Sequence, residues 1–162
     1  MSYSDHELRG VGGWLAFLVI VLAVLTPLRT IVDTVQIYLD PTMLEVFGER
    51  LGLVQGLEVA LSAAGIALAW YLAWRLNSVH SRKTIRIVIP GLWILSLGAL
   101  GLELLVLSVV GGLPVGLMTE AVAPEILRGA VFSGIWTAYL LKSVRVENTY
   151  AEPDAEVAEV FT

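Results

Sequence analysis

The chain has no cysteine, which excludes disulfides, thiolate metal sites and cysteine nucleophiles. Charge is scarce as well. Only 15% of the 162 residues are charged, against about 25% in a soluble domain. Hydrophobic residues make up 57%, and the mean hydropathy is +0.79. Such a deficit of charge belongs to a lipid-embedded protein. Basic residues are too few and too scattered for a nucleic-acid surface. His6 and His80 are far apart in sequence and have no neighbours that would complete a metal site. There is no HExxH and no nucleophile elbow, and Gly10, Gly12 and Gly13 lack the lysine of a phosphate-binding loop. Neither a cofactor nor an enzymatic activity is expected.

What the chain does have is long apolar runs. A helix needs about 20 apolar residues to cross the hydrocarbon core, and four stretches qualify: 11–28, 51–74, 90–113 and 124–141. Runs such as 15–25 are continuously apolar rather than alternating with a period of two, which excludes the strands of a membrane barrel. The N-terminus sets Asp5 and Glu7 against Arg9 and has no small-residue cleavage motif, so it does not read as a signal peptide. The expected fold is all-α, an integral membrane four-helix bundle forming one domain over residues 1–146. Residues 147–162 carry Glu147, Glu152, Asp154, Glu156 and Glu159 and read as an acidic, disordered cytoplasmic tail.

Orientation follows from the basic residues. Arg9, Arg75, Arg82, Lys83, Arg86, Lys142 and Arg145 flank the spans on one side, leaving Arg29, Arg50 and Arg128 on the other. Both termini and the middle loop are therefore expected in the cytoplasm. Trp14, Trp70, Tyr71, Trp74, Trp93, Trp136 and Tyr139 all fall in the cytoplasmic halves of the spans and read as an interfacial belt. On the outer side, span one should continue past Pro27 as an amphipathic helix. Asp40-Pro41-Thr42 is a helix start signal for a short surface helix through Phe47. The connection 111–124 is rich in glycine and proline and reads as a mobile apolar loop.

Helices in lipid associate through close packing and polar contacts. Gly52, Gly56, Ala60 and Ala64 form a small-residue ridge on the second span. Gln55, Glu58, Ser62, Gly65 and Ala69 form a second face beside it, expected to look into the bundle. Gly129, Ser133 and Thr137 answer from the fourth span, and Ser96, Ala99 and Glu103 from the third. The same ridges would also serve self-association.

Glu58 and Glu103 lie inside the second and third spans, with Arg29 and Arg128 at the outer ends of the first and fourth. A carboxylate in hydrocarbon is costly unless paired, protonated or wet. All four charges fall on the outer side with signs matched two and two, so an ion-pair network bracing the helices is expected. The alternatives are a site for a proton, a cation or an anionic ligand, and arginines reaching the headgroups. Asp33, one turn from Arg29, competes for it.

Three segments carry a family pattern. They are Gly10-Val11-Gly12-Gly13-Trp14-Leu15, Thr26-Pro27-Leu28-Arg29, and Trp136-x-x-Tyr139-Leu140-Leu141-Lys142-Ser143-x-Arg145-Val146-x-Asn148-Thr149-Tyr150. Together they resemble the bacterial inner-membrane family catalogued as domain of unknown function 2569, over about residues 9–150. Glu147 stands where members often have a basic residue. The resemblance implies a small four-span protein of the bacterial inner membrane and implies no activity. The expected role is a non-enzymatic accessory, assembly or interaction subunit, touching membrane lipids and either a membrane-protein partner or a second copy. The alternative is a small oligomeric transporter or channel using Glu58 and Glu103.

Overall fold

The apolar runs become long helices. A computed structural model describes residues 10–151, apart from the side chains of residue 115 and residues 117–121. The expected tail lies outside the described residues from 152 onward. Helix α1 runs Trp14–Leu39, the short α2 Thr42–Phe47, and α3 Leu51–Ser78. Next come α4, Arg82–Val110, and α5, Val115–Lys142, followed by the short α6, Val144–Tyr150. No strand occurs among the described residues. Three stretches are long and apolar enough to cross a membrane: Trp14–Leu39, Thr42–Ser78 and Arg82–Val110. The fourth long helix, α5, has 28 residues with Pro124 inside it.

Two boundaries differ from the sequence expectation. The connection before α5 is only 111–114, because Pro114 stands immediately before the helix, where a fixed φ favours helix entry. The expected loop through 124 is therefore helical from Val115. The C-terminal boundary also moves, since α6 continues through Tyr150, which is 2% exposed.

Helix α3 packs against α1 and α4, α4 packs against α5, and α6 closes against α4 and α5. The apolar core occupies one end of this arrangement. It is built from Leu15, Leu18 and Leu22 of α1, Leu72 and Leu76 of α3, Val88 and Leu92 of α4, and Trp136 and Leu140 of α5. Val146 and Tyr150 of α6 complete it. Gly91 allows the tight fit of α3 on α4: a methyl there would sit 2.7 Å from both terminal methyls of Leu72. Trp136 belongs to this core at 6% exposure, edge-on to Trp14 and Tyr139, which corrects its placement in an interfacial belt. Its neighbours fill the space that a headgroup would need.

The two ends of the described chain are tied together at this closed end. The Gly10 N–H donates to Thr149 Oγ1 at 3.0 Å, while the Thr149 hydroxyl donates to the Arg145 carbonyl at 2.7 Å. The Tyr150 hydroxyl donates to the Leu76 carbonyl at 2.5 Å. A methyl on Gly12 would stand 2.7 Å from Arg145 Nη1, so the arginine head lies directly over this glycine. The opposite end has a smaller contact, where Phe47 of α2 lies under Gly111. Asp40 Oδ1 accepts from both the N–H and the hydroxyl of Thr42 at the start of α2, which holds the Asp40 carboxyl below the usual carboxylate range.

Helix α1 changes pitch midway. Val21–Leu25 form a π-helical turn just before the buried Pro27. Proline has no N–H to return to the carbonyl four residues earlier, and a wider turn is a common accommodation. Two more such turns, Ile94–Gly98 and Val106–Val110, interrupt α4.

Candidate functional site: a polar cavity in the open half

Away from the closed end the helices leave a half-open cavity of about 810 Å³, contributed to by α1, α3, α4 and α5. Its floor is the upper edge of the core, at Leu22, Leu95 and Phe132. The sequence explains why the helices do not close here. Where the other half places leucines, this half places Thr34, Ser62, Gly65, Glu58 and Glu103, side chains too small to fill the gap or too polar to be packed dry. The face of Gln55, Glu58, Ser62 and Gly65 looks inward on this cavity, with Ala69 buried below it. Thr34 and Ser62 join α1 to α3 through a hydroxyl pair at 2.8 Å. Ser96 and Ser133 join α4 to α5 at 2.7 Å, and Ser133 also donates to the Leu92 carbonyl.

Arg29, Glu58, Glu103 and Arg128 all line this one cavity. Their pairing differs from the expected network. Arg29 bonds Asp33 at 3.3 Å and lies 3.6 Å from Glu125, whereas Arg128 binds Glu125 at 2.8 Å. Glu125 thus links α1 to α5. Sequence reasoning missed it, although its position three residues before Arg128 was the available signal. Neither Glu58 nor Glu103 makes an ion pair among the described residues. One oxygen of Glu58 is fully buried without a hydrogen-bond partner. Glu58 lies within electrostatic reach of Glu103, and Glu103 within reach of Asp33 and Glu125.

The small-residue positions divide. Gly129 packs tightly, since a methyl there would meet Leu97 at 3.1 Å and Ser96 at 3.3 Å, and Ser133 is fully buried. Gly52, Gly56, Ala60 and Ala64 instead face outward, and a methyl on Gly52 or Gly56 would meet nothing within 4 Å. That ridge does no packing within the chain, because the polar face beside it is the one turned inward.

The remaining family-pattern residues mark the closed end. Gly12, Gly13 and Trp14 follow Gly10, and Trp136, Tyr139, Lys142, Ser143, Arg145 and Val146 precede Thr149, at the two sides of the Gly10–Thr149 tie, while Pro27 lies buried further along α1. Burial there pushes the Tyr150 phenol well above its ordinary value.

The cavity is therefore lined by two arginines already paired with carboxylates and by two carboxylates, Glu58 and Glu103, that have no such partner among the described residues. It can hold a positively charged group or protons. No group of three or more His, Cys, Asp or Glu among the described residues is arranged to hold a metal ion.

No curated protein and no solved structure matches the chain at a significant level. A family model does match, over residues 8–151. The chain belongs to the family described as "Protein of unknown function (DUF2569)".

Proposed function

We propose that the chain is a four-span, non-enzymatic protein of the bacterial inner membrane that holds a guest in its polar cavity, as an accessory or interaction subunit. Both chain ends lie in the cytoplasm in this reading, supported by the basic residues Arg75, Arg82, Lys83, Arg86, Lys142 and Arg145 gathered around the closed end. The cavity then opens toward the outer side, and α2 lies on the outer surface with Leu44 and Val46 directed outward from the protein.

One observation carries the reading. Each of the four long helices brings an ionisable side chain to the same cavity: Arg29 and Asp33 from α1, Glu58 from α3, Glu103 from α4, and Glu125 and Arg128 from α5. Charges within spans are expensive and mark functional positions. A photo-crosslinking residue at Leu100, on the cavity wall, tests this in native membranes. A foreign adduct is the expected product. Adducts confined to the chain itself would sink the proposal.

A second reading, a small oligomeric transporter or channel, is favoured by the buried, unpartnered oxygen of Glu58. It predicts Leu100 adducts to a second copy, and flux in liposomes that Glu58→Gln abolishes in a protein that stays folded.

A further inference from the structure

The cavity carries more information than its existence. The geometry points to a lipophilic organic monocation as its guest, with the cationic centre held between Glu58 and Glu103 and the apolar body against the walls. This rests on the reading of the cavity as the working site, and it names the ligand's chemistry.

Charge argues first. Four carboxylates and two arginines line the space. Both arginines are engaged, Arg29 by Asp33 and Glu125, Arg128 by Glu125. Glu58 and Glu103, both half-buried, have no cationic partner among the described residues. Any charge left uncompensated is thus negative, on half-buried side chains where a lower dielectric strengthens its attraction for a cation. An anionic guest would have to displace Glu125 and then lie against the two free carboxylates.

Shape argues second. At about 810 Å³ the cavity has the size of sites that take drug-sized molecules. Leu22, Leu25, Val59, Leu95, Leu100 and Phe132 supply apolar wall. A bare inorganic cation needs neither that volume nor those walls, and no cluster of three ligating side chains is present among the described residues to bind a metal ion. An apolar body with a single delocalised or tertiary positive charge satisfies both halves of the site. It would also partition into the bilayer, giving it access to a cavity lined by spans.

Tetraphenylphosphonium is a suitable probe, with tetraphenylborate as an anion of matching shape. Equilibrium dialysis of the full chain in detergent should give saturable tetraphenylphosphonium binding and no saturable tetraphenylborate binding. Affinity should fall by about tenfold or more in Glu58→Gln and in Glu103→Gln, as expected for loss of one Coulombic partner of a monocation at an effective dielectric well below that of water, and should be unchanged in Gly56→Ala on the outward ridge. In the wild-type background, tetraphenylphosphonium should also suppress the foreign adduct at Leu100, a readout that needs no carboxylate variant to fold. Tetraphenylborate binding as well or better overturns the inference. So does the absence of saturable cation binding, or binding unaltered in folded Glu58→Gln and Glu103→Gln proteins. In those cases a foreign adduct at Leu100 that tetraphenylphosphonium leaves untouched would keep the guest-holding reading alive; intrachain adducts alone would end both.

Discussion

The indole N–H of Trp70 donates to the backbone carbonyl of Ala23 at 3.0 Å. That carbonyl stands four residues before Pro27, which has no N–H to offer it. A side chain of α3 thus supplies the hydrogen bond that the sequence of α1 omits, next to the π-helical turn Val21–Leu25.

Trp70→Phe keeps the ring and removes the donor. An unsatisfied carbonyl costs about 1–3 kcal/mol, and each kcal/mol lowers Tm by about 2–4 °C for a chain of this size. Thermal unfolding in detergent should show that drop. An unchanged Tm would mean that the Ala23 carbonyl has another donor.

Tyr150→Phe tests the closed end. The lost bond to the Leu76 carbonyl should cost about 1–2 kcal/mol. The variant should also change the alkaline limb of stability. Burial raises the phenol's value in the folded protein, so its neutral form contributes fully below about pH 10, the ordinary tyrosine value. The contribution is lost as pH rises beyond that toward the folded value. Wild-type Tm should therefore fall above pH 10 by a component that Tyr150→Phe lacks.

Gly91 and Gly56 should respond oppositely to alanine. At Gly91 the methyl would meet the fully buried Leu72 at 2.7 Å, and overpacking of this kind costs about 1–3 kcal/mol. At Gly56 the methyl meets nothing, and helix propensity alone gains about 0.5–1 kcal/mol. Equal Tm values for the two variants would refute the division into packed and outward glycines.

Glu103→Gln should leave Tm unchanged or raised, since Glu103 braces no arginine among the described residues. Glu125→Gln releases Arg29 and Arg128, whose side chains are both 59% exposed. Exposed pairs are worth about 0–1 kcal/mol each, so a small loss is expected there. A fall of several degrees in Glu103→Gln would restore the structural network drawn from the sequence.

Much of the fold was legible because membrane helices announce themselves by length and continuity of apolar residues. The inward face of Gln55, Glu58, Ser62 and Gly65 could be read from spacing, since polar residues in a span seek the interior. The ridge of Gly52, Gly56, Ala60 and Ala64 could not be placed, because small residues look alike whether they meet a helix or lie on its outer surface. Asp33 could be read as a partner of Arg29 from its i,i+4 spacing, but Glu125, which pairs with both Arg29 and Arg128, could not. Coulombic attraction does not by itself choose among carboxylates on neighbouring helices, and for Arg128 the i,i+3 neighbour Glu125 won over Glu103. Trp136 passed for a belt residue because position along a span does not say which way a ring turns. The 147–162 boundary moved because an acidic composition concealed Tyr150, a buried anchor one helical turn beyond Val146.

The absence of native cysteine makes the central claim directly measurable. That claim is a polar cavity opening away from the cytoplasm above a sealed end. Ser62→Cys places a thiol on the cavity and Ala73→Cys places one in the core, at 4% exposure. In spheroplasts, a membrane-impermeant maleimide added outside should label Ser62→Cys and leave Ala73→Cys unlabelled. Labelling of Ser62→Cys only from the cytoplasmic face, or not at all, would contradict the account.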